Sequence, residues 1–91
     1  MGQKSWKLDF SNPAKKQLHK LDTSIQKKIL SFLYHRLSNN PDPRLFGKVL
    51  RGNLLGYWSY RVGDYRIIAD IQDHKLTILI IDIGHRREIY N

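Results

Sequence analysis

Near the start of the chain Trp6, Leu8 and Phe10 alternate with Ser5, Lys7 and Asp9. This is the period-two pattern of a half-buried strand, and it predicts a first strand over 5–10. Asn12-Pro13 then reads as a helix N-cap followed by proline at the first helical position. Ala14, Leu18 and Leu21 fall at helical spacing, with Lys15, Lys16 and Lys20 on other faces, so a short amphipathic helix should end near Leu21. Asp22 can cap a second helix whose stripe is Ile25, Ile29, Phe32, Leu33 and Leu37. With almost nothing between them, the two helices should form a hairpin packed on a sheet. Ser38, two asparagines, Pro41 and Pro43 stop the helical pattern. From Gly47 onward the period falls from 3.6 to two, which places strands near 55–62, 65–72 and 75–83. Gly63-Asp64 and Asp73-His74 are turns of hairpin length and make these strands an antiparallel meander. Residues 76–81 are apolar on both faces, so the last strand should lie inside the sheet with the first beside it. The expected fold is α+β, in the order β-α-α-β-β-β. It has a mainly antiparallel four-stranded sheet and a helical hairpin on one face.

Length and composition narrow this picture. Ninety-one residues suffice for one domain, spanning 1–91. A chain this short buries only about 60% of its unfolded surface, so its stability should be modest. The absence of cysteine excludes disulfides and thiolate metal sites. No apolar run approaches the roughly 18 residues of a membrane span, and no signal-peptide core opens the chain. A soluble, cytoplasmic protein is the expectation. Sixteen Lys and Arg against eight Asp and Glu leave a net charge of +8. A field of that sign draws in polyanions, so nucleic acid or a nucleoprotein is the expected partner, ahead of an acidic protein.

The cations that matter most are Lys48, Arg51, Arg61, Arg66, Arg86 and Arg87. Arg66, Ile68 and Asp70 alternate with Tyr65, Ile67, Ala69 and Ile71. If the helices cover the second set, Arg66 projects from the opposite face. With Arg61 and the tail it would there form a surface suited to phosphate oxygens. The competing reading is a set of solvated arginines in weak ion pairs with Asp64, Asp70 or Asp82, each worth about 0–1 kcal/mol. The tail His85-Arg86-Arg87-Glu88-Ile89-Tyr90 adds a histidine, able to exchange a proton near neutral pH, and a phenol. A turn histidine and a ring packed on the sheet edge are the plainer alternatives. Tyr57, Trp58, Tyr60 and Tyr65 could stack bases, although aromatic residues are common in strands for packing alone. His19, His35 and His74 have no metal-ligand spacing and read as surface residues.

Three stretches together resemble the RelE/ParE superfamily of bacterial toxins, nearest to its RelE branch: Lys48-Val49-Leu50-Arg51-Gly52, the run from Trp58 to Ile68, and Gly84 to Tyr90. The resemblance covers essentially the whole chain. It implies an endoribonuclease that cuts messenger RNA on the ribosome and is neutralised by a protein antitoxin. The reaction would be attack of a ribose 2′-OH on the adjacent phosphate, needing neither metal nor other cofactor. By the same resemblance Arg66 and Arg86 stabilise the phosphate, and Tyr90 lies near the reacting ribose and base. Lys48, Arg51, Arg61 and Arg87 bind RNA or ribosome. The chain departs from the family at two lysines that alternate before the Tyr-Arg pair, whose nearest equivalents are Trp58 and Tyr60. That departure leaves His85 as the candidate for proton transfer. The antitoxin should wrap the basic protein with a helix or extended arm. Two other readings stay open: a ParE-like inhibitor of DNA gyrase that cleaves nothing, and a nucleic-acid-binding module with no toxin role.

Overall fold

A computed structural model of the chain describes residues 5–85. Strand β1 (Lys7–Phe10) leads into helix α1 (Asn12–His19), followed by α2 (Thr23–Ser31). Helix α2 continues through a π-helical stretch, Phe32–Leu37. Strands β2 (Lys48–Val49), β3 (Trp58–Val62), β4 (Tyr65–Gln72) and β5 (Thr77–His85) complete the order. They form one sheet in the order β1-β5-β4-β3-β2, antiparallel except for the parallel β1–β5 pair. The α+β architecture, the helix pair, the meander and the placing of β1 beside β5 agree with the sequence pattern.

Four details differ from it. The sheet has five strands, because Lys48 and Val49 pair with Ser59 and Trp58 as a two-residue edge strand too short to register as an alternation. Ser11, not Asn12, caps α1: its hydroxyl accepts the Ala14 N–H at 3.2 Å. Strand β3 begins at Trp58, since Gly52 and Gly56 hold positive φ and turn the preceding segment into a loop. The β4–β5 connection is a 3₁₀ turn, Asp73–Lys75, closed by Leu76 in the left-handed region, and β5 therefore starts at Thr77.

The core lies between the helices and one sheet face. Leu18, Ile29, Leu33 and Leu37 meet Tyr60, Ile67, Ala69, Ile71, Ile78, Ile80 and Ile83. Each leucine or isoleucine side chain among them contributes about 1.5–3 kcal/mol of burial. Trp6 fixes the start of β1, its indole N–H donating to Pro41 O at 3.3 Å and its backbone N–H to Ser38 O at 2.8 Å. No helix among the described residues is long and apolar enough to cross a membrane.

A bulge in β5 decides which of its side chains reach the core. Ala69 pairs with Ile80 but Ile68 pairs with Asp82, so Ile81 is an extra residue. Because of it Ile78, Ile80 and Ile83 all enter the core, and Asp82 and Gly84 fall on the other face. Strand β1 ends at Phe10, opposite Ile80, so among the described residues no strand pairs with the outer edge of β5 from residue 81. Polar groups around α1 take over. Ser11 N–H donates to Ile80 O at 2.9 Å and its hydroxyl to Ile81 O at 3.3 Å. Gln17 then uses both ends of its amide: Oε1 accepts from Ile83 N–H at 2.8 Å, and Nε2 donates to Asp82 Oδ1 at 2.6 Å. One glutamine side chain thus stands where a strand would otherwise pair.

Candidate nucleic-acid interface

The two-residue turn at Gly63-Asp64 sets Arg61 directly opposite Arg66 across β3 and β4. Their neighbours Tyr60 and Ile67 form the next pair and are buried under the helices. Side chains alternate along a strand, so Arg61 and Arg66 leave from the far face. Lys48 pairs with Ser59, and Ser59 is two residues from Arg61, so all four share that face. They converge on a cavity of about 500 Å³ between β2, β3 and β4, also walled by Leu50. Among the described residues, three cations and no carboxylate line it. Like charges directly opposite in a sheet are destabilising, and an anion bound between Arg61 and Arg66 would offset that repulsion. Arg61 is oriented by a hydrogen bond from Nε to Gly63 O at 3.4 Å.

Buried packing beneath holds this surface in place. Tyr60 is 1% exposed and its hydroxyl donates to Pro43 O at 2.9 Å, tying β3 to the 3₁₀ turn Pro43–Phe46. Burial pushes the Tyr60 phenol well above its ordinary range, against the opposing pull of the Arg44 cation. Gly47 lets β2 approach: a Cβ there would lie 2.6 Å from the Tyr60 ring and 2.8 Å from Ser59 O. Arg44 reaches Asp73 in the β4–β5 turn at 2.6 Å. That hydrogen bond raises the guanidinium and holds the Asp73 carboxyl below its usual range.

The other expected site residues are distributed differently. Arg51 is exposed on the loop after β2 and does not line the cavity. Arg86, Arg87 and Tyr90 lie outside the described residues. His85 pairs with Tyr65, the rings meeting edge to face at 5.5 Å between centroids. Arg66 pairs with Gly84, so His85 leaves β5 on the face opposite Arg66. The histidine lines a second cavity of about 650 Å³ with Gln17, Lys20, Leu54, Tyr65 and Asp82. The register also corrects the positions compared with the family's two lysines. Trp58 and Tyr60 face the helices, and the residues alternating before Arg66 on its own face are Ser59 and Arg61. Sequence reasoning misses Ser59 and Gln17 as site residues and places Asp82 only as an ion-pair partner. The turn at Gly63-Asp64 carries enough signal to find Ser59, but the other two depend on the bulge.

The described geometry is thus a small α+β scaffold with a basic sheet face suited to a polyanion. Residues 8–90 match the family model described as the ParE toxin of type II toxin–antitoxin systems, parDE. The chain belongs to the RelE/ParE superfamily of type II toxin–antitoxin toxins. It is 37% identical over 81 residues to toxin RelG of Mycobacterium tuberculosis, covering 89% of this chain and 91% of that protein. Toxin RelE of the same organism is 36% identical over 77 residues, covering 85% of this chain and 77% of that protein. In the crystal structure of the M. tuberculosis RelBE2 toxin–antitoxin complex, one chain superposes with a TM-score of 0.84 at 33% identity. That match covers 93% of this chain and 95% of the other.

Proposed function

We propose that the chain is an endoribonuclease that cleaves messenger RNA on the ribosome and is silenced by a cognate protein antitoxin. The observation that carries this reading is the convergence of Lys48, Arg61 and Arg66 on one cavity that no described carboxylate lines. In the reaction the ribose 2′ oxygen bonds to the adjacent phosphorus and the bond to the 5′ oxygen breaks. The products are a 2′,3′-cyclic phosphate and a 5′-hydroxyl. The 2′-OH proton passes to a base, and a second proton reaches the departing 5′ oxygen. Negative charge builds on the phosphate oxygens in between. Two guanidiniums and an ammonium already in place stabilise that charge without reorganising. No metal enters the scheme.

By family resemblance Arg86 joins Arg66 at the phosphate and Tyr90 lies beside the ribose, while Arg51 and Arg87 hold RNA or ribosome. Proton transfer by His85 is the role that the described geometry supports least, because its side chain leaves the sheet away from Arg66. A protein antitoxin fits the +8 charge, and the M. tuberculosis relative crystallised as a toxin–antitoxin complex supports such a partner.

A gyrase-inhibiting reading has one observation in its favour. Ser59 occupies the Arg66 face where a family nuclease would carry a lysine, and the matching family model is described as ParE. Primer extension on cellular messenger RNA after brief induction separates the two. Cuts within translated codons support the nuclease, whereas intact messages accompanied by damaged DNA support gyrase inhibition.

A further inference from the structure

The larger cavity lies where β5 runs on past the end of β1. It wraps that edge, with Ile68, Asp82 and Gly84 on the Arg66 side and Tyr65 and His85 on the other, and Leu54 from the loop before β3 also lines it. At about 650 Å³ it falls within the range of small-ligand sites. Gly84 sits directly opposite Arg66 and has no side chain, so nothing from β5 stands between the arginine face and this cavity at that point. Neighbouring strands are about 4.8 Å apart, less than the length of one nucleotide. An RNA strand with its scissile phosphate at Arg61 and Arg66 therefore brings a flanking nucleotide over Gly84.

The lining suits a base. Leu54 and Ile68 offer an apolar surface, the Tyr65–His85 pair adds an aromatic wall, and Lys20 at the rim can meet a further phosphate. The Asp82 carboxylate gives direction. Gln17 donates to its Oδ1 and is itself fixed by Ile83 N–H, so the carboxylate is held in one orientation. Its Oδ2 has lone pairs for an incoming donor. Adenine, cytosine and guanine carry an exocyclic amine that can donate beyond the ring, whereas uracil donates only through its ring N3–H.

We propose that this cavity is a subsite for the nucleotide flanking the cleaved phosphate, with Asp82, oriented by Gln17, selecting bases that bear an exocyclic amine. The proposal rests on the RNA-cleaving reading above, and its test separates the two. The ¹⁵N-labelled protein is titrated with GMP, AMP, CMP, UMP and inorganic phosphate while backbone amide shifts are followed. GMP, AMP and CMP should move Leu54, Ile68, Gly84 and His85, phosphate should move only the Arg61 and Arg66 region, and UMP should bind about tenfold more weakly. Asp82→Asn keeps an oxygen for Gln17 and should erase the preference over UMP without lowering the melting temperature. If UMP binds as tightly as the others, the selection by Asp82 is wrong. If every nucleotide moves only the amides that phosphate moves, the subsite is overturned and the phosphate site stands. If neither nucleotides nor phosphate move anything, both readings fall.

Discussion

Tyr60 shows how one side chain links burial to the site. Its phenol is buried, donates to Pro43 O and packs its ring against Gly47. Replacing it with phenylalanine removes one hydrogen bond and should cost about 1 kcal/mol at neutral pH. The pH dependence has a definite sign. A phenol raised in the folded state contributes stability that is complete below its unfolded value, near 10, and is lost as pH rises further. Thermal melts should therefore show the wild type losing its advantage over Tyr60→Phe above about pH 10. His85 supplies a contrasting case. With its ring against Tyr65 and its side chain away from Arg66, His85→Gln should retain cleavage within about tenfold of wild type in a ribosome assay. A larger loss would restore the proton-transfer role inferred from the sequence.

Among the elements, the edge strand β2 and the outer edge of β5 depend on single contacts. Gly47→Ala drives a methyl into the Tyr60 ring and the Ser59 carbonyl. Its expected cost is about 1–3 kcal/mol in denaturant unfolding. It should also weaken RNA binding, because β2 carries Lys48. Gln17→Ala removes the acceptor of Ile83 N–H and the donor to Asp82. It should cost about 1–3 kcal/mol, and hydrogen exchange should rise first at Ile83 and not in β4.

These elements also mark where the sequence is readable. Alternation in 65–72 and the apolar stripes of the helices are legible because each recurs several times along one face. Strand β2 is not, since two residues make no period. The bulge at Ile81 is hidden because Ile80, Ile81 and Ile83 are all apolar, and only pairing with β4 reveals which of them is extra. The roles of Gln17 and Asp82 depend on that bulge, so the sequence pattern could not expose them.

At the scale of the whole molecule, the sheet divides the work between its faces. One face buries the core against α1 and α2, which holds the strand register. The other presents Lys48, Arg61 and Arg66, with Ser59 among them, at positions set by that register. The +8 charge favours approach of a polyanion, and on the proposed reading its phosphate would sit at the opposed arginines. This division is largely legible in the alternation around Arg66. The separation of His85 from Arg66 is not, because it depends on strand register near the end of β5. The most direct measurement is cleavage of messenger RNA on programmed ribosomes by purified wild-type and Arg66→Ala protein, with analysis of the product ends. The expected result is a 2′,3′-cyclic phosphate and a 5′-hydroxyl from the wild type, and a rate lower by about 10²–10³ in the variant at unchanged melting temperature. Intact message with the wild type, or an undiminished rate with Arg66→Ala, would contradict the account.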